Sequence, residues 1–204
     1  MTQRAAFAAA YDVPRETMAA FDAYAALLAD WQTRMNLVGP STLPAIWHRH
    51  FADSAQLLVL AGPARTWLDI GAGAGFPGLV TALLDPLAHV TLVESVTKKC
   101  RFLGEVISTL GLGDRVTIEN RRIEALPHRK FDVITARALA SLDQLFDWAL
   151  PHGGSGTQWL LPKGARVDAE LAIAIDRFAF DYTLVPSRTD NAARIMVASG
   201  VKRR

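Results

Sequence analysis

Thr66-Trp67-Leu68-Asp69-Ile70-Gly71-Ala72-Gly73-Ala74-Gly75-Phe76-Pro77-Gly78 decides the fold of this chain. An apolar run carries a carboxylate near its end, three alternate glycines follow, and Pro77-Gly78 opens a helical run. That order reads as a buried strand, a tight turn and a helix. The glycines let the backbone turn sharply and approach a ligand that a Cβ would hold away. Pro77 suits a first helical turn, where a missing N–H costs nothing. Asp69 narrows the ligand class. A carboxylate gains nothing beside a pyrophosphate, but it favours a cationic sulfonium amino acid, so the stretch points to S-adenosylmethionine (SAM). Gly73-Ala74-Gly75-Phe76-Pro77-Gly78 also fits the dinucleotide fingerprint, two residues late relative to the strand end. In the expected register from Gly71, the third glycine position holds Phe76, too large for close helix–strand packing. An NAD-dependent oxidoreductase is therefore the weaker alternative.

Outward from this unit, strands and helices alternate. Strands are expected at 66–70, 90–94, 115–119, 131–136, 157–162, 180–186 and 193–199, with helices near 78–84, 97–110, 138–150 and 165–177. Helix-length connections imply parallel strands with right-handed crossovers. The short link around Ser187 to Asn191 implies an antiparallel hairpin at the end. A mostly parallel seven-stranded sheet with a reversed last strand is the Rossmann-like class I architecture of SAM-dependent methyltransferases. Ahead of it, Met18, Phe21, Tyr24, Leu28, Trp31 and Met35 recur at spacings of three and four, one stripe of a helix over 15–38. A second helix is expected from about Pro44 to Leu60, behind the Gly39-Pro40-Ser41 break. The chain thus divides into a helical extension, 1–62, packed on a SAM-binding domain, 63–204.

Open α/β sheets bind ligands outside the carboxyl ends of their strands, so the residues after each strand are the site candidates. Glu94 ends the second strand, nineteen residues past Gly75, where a carboxylate can accept from both ribose hydroxyls of an adenosine. In the loop after the third strand, Ile123 can cover the adenine, and Glu124 or a backbone group can meet its exocyclic amine. Arg137 leaves the fourth strand where donor and acceptor must meet, and its guanidinium can bind the SAM carboxylate or an RNA phosphate. No Asn/Asp-Pro-Pro-aromatic run follows that strand, and Cys100 lies in a helical pattern, so exocyclic-amine and 5-methylcytosine chemistry lack their usual residues. Guanine N7, already nucleophilic and carrying no proton, remains as an acceptor.

The 204 residues suit one α/β domain with a small extension, and a 50% hydrophobic content provides a full core. A single cysteine excludes an intrachain disulfide and a cysteine-based zinc site, and no metal is expected at His48 and His50. A reducing, cytoplasmic setting follows, with no membrane partner. The formal charge is only +2, yet the basic residues cluster. Lys98, Lys99 and Arg101, then Arg121 and Arg122, His128 to Lys130, and Lys202 to Arg204 form runs; of these, Lys98-Lys99-Arg101, Arg121-Arg122 and Lys202 to Arg204, with Lys163 and His50, are expected to form one RNA-tracking surface around the methyl donor. A non-catalytic RNA-binding protein on the same fold is the other alternative.

Five stretches together carry a more specific resemblance: Asn36-Leu37, Arg49-His50-Phe51-Ala52-Asp53-Ser54, Leu68 to Gly78, Arg137-Ala138-Leu139-Ala140-Ser141-Leu142 and Pro162-Lys163-Gly164. In order and spacing, over nearly the whole chain, they resemble the RsmG (GidB) family of bacterial methyltransferases that modify guanine N7 in 16S ribosomal RNA. The resemblance implies that Gly71, Phe76, Glu94, Ser95, Val96, Ile123, Glu124 and Arg137 occupy SAM-contacting positions. Asp69, Gly73 and Gly75 join them from the glycine turn. It further implies 16S rRNA or the small ribosomal subunit as partner; separately, the chain is expected to be a monomer.

Overall fold

The computed structural model describes residues 1–204. Its strands are β1 (Thr66–Ile70), β2 (His89–Val93), β3 (Val116–Glu119), β4 (Val133–Ala136), β5 (Gln158–Lys163), β6 (Phe178–Pro186) and β7 (Arg194–Arg203). Its α-helices are α1 (Gln3–Ala10), α2 (Arg15–Gln32), α3 (Asp53–Leu60), α4 (Gly78–Leu84), α5 (Thr97–Thr109), α6 (Leu142–Ala149) and α7 (Val167–Arg177). The strands make one sheet in the order β3-β2-β1-β4-β5-β7-β6, with β7 antiparallel to both its neighbours and the other pairings parallel. Chain order reverses at β1, between β2 and β4, so the crevice above β1 is the switch point of the sheet.

The strands are apolar on both faces because both are covered. Trp67, Val90, Leu92, Val133, Leu160 and Ile195 pack on one side with the N-terminal helices, α4 and α5. Their alternates Leu68, Ile70, Val93, Ile134, Trp159 and Met196 pack on the other with α6 and α7. Period-two alternation thus fills two separate cores from one set of strands. The N-terminal helices share the first core rather than building their own: Phe7, Phe21, Phe51 and Tyr24 join it, with Phe21 and Phe51 in edge contact at 4.9 Å. The Tyr24 hydroxyl donates to the carbonyl of Ala74, which ties α2 directly to the glycine turn. No helix is long and apolar enough to cross a membrane.

Three helices differ from the sequence reading. Helix α2 stops at Gln32, not near 38, because the Gln32 amide oxygen accepts from the backbone N–H groups of Leu37 and Val38 at 2.9 and 3.1 Å and folds the chain back. The expected helix from Pro44 to Leu60 is three pieces: a 3-10 turn Pro40–Ala45, a π-helical turn Trp47–Ala52, and α3. Pro44 cannot donate to a regular ladder, and the wider π turn carries both His50 and Phe51 to the buried side. Helix α6 begins at Leu142 rather than 138, because Ala138 adopts a left-handed φ of 53° that no helix accommodates.

Candidate active site

A cleft of about 770 Å³ opens at the carboxyl ends of the parallel strands, over the switch point. Its floor is the glycine turn. Gly71 and Ala72 donate to the Val93 carbonyl at 2.8 and 3.0 Å, which fastens the turn to the end of β2. Gly71, Gly73 and Gly75 all have positive φ, and two of them need it for different reasons. A Cβ on Gly73 would meet nothing closer than the Gly71 carbonyl at 3.7 Å, so this backbone lies open to the cleft. A Cβ on Gly75 would instead strike Leu79 and sit 2.6 Å from the Tyr24 hydroxyl, so this glycine permits close helix packing.

Glu94 stands at the end of β2 on the cleft wall, with its carboxylate held by two backbone groups. Gly73 donates to Oε2 at 3.0 Å and Val96 donates to Oε1 at 2.8 Å. An ionised carboxylate has about four acceptor sites, so each oxygen keeps capacity for a ligand hydroxyl. Ser95, Val96 and Lys99 continue that wall, and Arg121, Arg122, Ile123 and Glu124 form the next. Ile123 is buried in a short 3-10 turn, with its side chain at the cleft. Asn120, which the sequence alone does not single out, braces the two walls by donating to the carbonyls of Glu94 and Ser95 at 3.0 and 3.3 Å.

Opposite lies a polar cluster built on Arg137. Its guanidinium reaches Asp53 at 3.2 Å, donates to the Arg49 carbonyl at 3.3 Å and to His50 Nδ1 at 3.0 Å, and lies 5.1 Å from the Phe76 ring centre. Because Nδ1 accepts, His50 carries its proton on Nε2, which faces the Thr42 hydroxyl at 2.8 Å; that hydroxyl donates onward to the Gly39 carbonyl. Burial pushes the His50 pKa down to about 3, and the neighbouring Arg137 charge acts in the same direction. The imidazole is therefore neutral and locked in one tautomer.

The structure brings most of the expected site residues to this cleft and removes several. Asp69 lies behind the turn, fully buried, with Oδ2 accepting from the first N–H of α4 at Gly78 (2.9 Å) and Oδ1 without a partner. Burial raises its pKa to about 7, against the opposing pull of the Gly78 N–H and of Arg137. Asp69 and Gly75 are thus absent from the cleft lining. Lys98 and Arg101 also point elsewhere; Lys98 donates to the Arg34 carbonyl at 3.0 Å and holds α5 to the segment after α2. Lys163 lines the cleft but is buried, its ammonium paired with Glu170 at 2.9 Å and donating to the Ala140 carbonyl at 2.6 Å, so no free charge is offered to RNA. His50 is likewise buried and neutral rather than part of a basic surface. Lys202 to Arg204 sit at the wrong end of the sheet. Strand β7 runs against its neighbours, so Arg194 lies beside Lys163 at the cleft while Arg203 lies beside Phe178, at the far edge. Arg129 and Lys130 precede β4 and share that far edge. No group of three or more His, Cys, Asp or Glu side chains comes together as a metal site.

A seven-stranded sheet in this order, with a glycine turn at the switch point and an acid ending the next strand, defines a class I methyltransferase fold. Solved structures agree. A precorrin-6y methyltransferase from Geobacter metallireducens aligns with a TM-score of 0.53 over 71% of this chain and 86% of that one, at 14% identity. P. horikoshii TYW2, solved in complex with MeSAdo, aligns with a TM-score of 0.56 over 74% and 62% of the two chains, at 17% identity. The chain belongs to the GidB family, rRNA small subunit methyltransferase G, whose model matches residues 17–193. It is 48% identical over 198 residues to the Ribosomal RNA small subunit methyltransferase G of Methylorubrum populi, covering 95% of this chain and 93% of the relative. The protein of the same name from Hyphomonas neptunium is 42% identical over 201 residues, covering 98% and 96%.

Proposed function

We propose that this enzyme, acting as a monomer without a metal, transfers a methyl group from SAM to N7 of a guanine in the 16S rRNA of the small ribosomal subunit. The observation that carries the reading is the Glu94 carboxylate, pinned by Gly73 and Val96 beside an open glycine backbone, in a chain of this family. The cleft fits the donor chemically. Glu94 would accept the two ribose hydroxyls, and hydrogen bonds to a charged group contribute about 1.5–3 kcal/mol each. Ile123 would cover the adenine, Glu124 and the Ser95-Val96 backbone would meet its polar edge, and Gly71 and Gly73 would let the methionine portion lie against the chain. Arg137 would bind the methionine carboxylate with the N–H groups left free by Asp53 and His50.

When bound, SAM supplies a methyl on a cationic sulfur, and the positive charge passes with the methyl to the purine. N7 loses no proton, so no side chain has to act as base; neutral His50, with Nδ1 occupied by Arg137, is not poised for that role. The chain's task is alignment, which contributes up to ~7–11 kcal/mol for well-oriented reactants. Phe76 is stacked between Tyr24 and His50, at 5.4 and 4.9 Å, and gives the turn a rigid support for that alignment. Family membership speaks against both the oxidoreductase and the non-catalytic alternative.

The test is methyl transfer from labelled SAM to small subunits prepared from cells lacking this protein, with Glu94→Ala as comparison. The wild-type protein is expected to label the subunit RNA, and Glu94→Ala to bind SAM roughly ten- to a hundredfold more weakly. A wild-type protein stabilised thermally by NAD but not by SAM would overturn the reading.

A further inference from the structure

Asp53 is the only carboxylate in contact with three separate polar side chains at the cleft. Its Oδ2 faces Arg137 at 3.2 Å, while Oδ1 accepts from the Thr189 hydroxyl at 2.6 Å and from the Gln56 amide at 3.0 Å. Arg137 leaves β4, Thr189 lies in the β6–β7 loop, and Asp53 opens α3, so one side chain joins three segments distant in sequence. The loop is seated at further points: Arg188 N–H donates to the Gln56 amide oxygen at 2.9 Å, and Asp190 pairs with Arg49 at 3.1 Å. Asp53 and Arg137 line the cleft, whereas Thr189 does not.

We propose that Asp53 is a positioning residue for methyl transfer, which holds Arg137 in its binding geometry and takes its own position from the Thr189 hydroxyl of the β6–β7 loop. This rests on the methyltransferase reading and extends it to Thr189, a residue outside the cleft lining. The physical reason is the half-buried Arg137–Asp53 pair, both side chains 19% exposed. A guanidinium aimed by a fixed carboxylate loses little freedom when a second carboxylate binds it, and a carboxylate that swings would lose that preorganisation. The Thr189 hydroxyl also meets the hydroxyl of Ser187, a cleft residue, at 3.0 Å, so the double variant with Asp53→Asn separates the route through Asp53 from the route through Ser187.

The experiment compares Thr189→Val, Thr189→Ser and Asp53→Asn by three measurements: SAM affinity without RNA, kcat and KM for RNA at saturating SAM, and ligand-free amide exchange over Ala138 to Ala140. Thr189→Val is expected to weaken SAM binding roughly three- to tenfold and to speed exchange at Ala138 to Ala140, with kcat falling more than KM rises. Thr189→Ser restores both, because the hydroxyl returns. Asp53→Asn weakens SAM binding by about tenfold or more, and adding Thr189→Val to it costs little further. Thr189→Val with wild-type SAM affinity and exchange, or losses that simply add to those of Asp53→Asn, would overturn the proposal. Should Asp53→Asn fail to fold, the two Thr189 variants decide alone. A wild-type protein that transfers no methyl would defeat the functional reading instead, and the exchange measurement would still decide the coupling.

Discussion

His50 lies nearly parallel to the Phe76 ring, with centroids 4.9 Å apart and planes 18° apart, and through that contact the N-terminal segment becomes one wall of the cleft. The stack has a thermodynamic cost that pH exposes. Folding lowers the His50 pKa from the ordinary value near 6.5 to about 3, chiefly by burial. A depressed histidine contributes fully above the unfolded value and loses that contribution as pH falls below it, down to the folded value, because only the unfolded chain binds the proton. The stability advantage of wild type over His50→Gln should shrink by about 2 kcal/mol between about pH 8 and about pH 5. Denaturant unfolding across that range checks it; a constant difference contradicts it.

Asp69 predicts a proton released on donor binding. With its pKa raised to about 7, the buried carboxyl is roughly half protonated at neutrality, and a cation bound nearby shifts it toward the carboxylate. Calorimetry near pH 7 in buffers of different ionisation enthalpy should show up to about half a proton released per SAM bound. S-adenosylhomocysteine, which lacks the sulfonium charge, should release less. Identical heats in every buffer would show that Asp69 does not sense the ligand.

The glycines separate packing from binding. Gly75→Ala meets Leu79 and Tyr24 at a φ of +87°, so it should lower Tm by several degrees, from roughly 1–3 kcal/mol of strain plus the collision. Gly73→Ala meets no protein atom within 3.7 Å, and its methyl enters the cleft. Its chief effect should be on SAM affinity, by about tenfold or more, with a smaller loss of Tm. The opposite ranking in melting and calorimetry would exchange the two roles.

Much of this was legible in sequence, and the failures have physical causes. All seven strands and the hairpin at the end follow from apolar runs and turn residues, as does the placing of Glu94, Ile123 and Arg137 at strand ends. Sequence shows which strands form a hairpin, but not that β7 inserts between β5 and β6 and carries the C-terminal basic run away from the cleft. Helical periodicity cannot reveal a π turn, so His50 read as surface when it is buried. Lys163 meets Glu170 across a loop rather than along a helix, where spacing carries no signal. The roles of Asp53 and Thr189 depend on contacts between segments 136 residues apart.

The placement of the basic side chains sets the salt dependence of RNA binding. Lys99 and Arg122 line the cleft, while Lys202 and Arg203 lie at the far edge. Removing a side chain that neutralises one RNA phosphate should reduce the salt slope of binding by roughly 0.7–0.9. Lys99→Ala and Arg122→Ala should each do so without changing fold, whereas Lys202→Ala and Arg203→Ala should leave the slope unaltered. RNA affinity titrated against salt distinguishes the two pairs, and an effect confined to the far-edge pair would move the RNA path to the other end of the sheet.

The identity of the methylated atom decides whether this enzyme is a guanine-N7 methyltransferase. Small subunits from cells lacking this protein, treated with the purified enzyme and SAM carrying a labelled methyl, are digested to nucleosides and separated. Label is expected in 7-methylguanosine, at a single position of the small-subunit RNA, with a turnover that shows no essential base ionising between about pH 6 and 8. Label in a nucleoside methylated on an exocyclic amine or on carbon, or a pH profile abolished by replacing one histidine or aspartate, would contradict it.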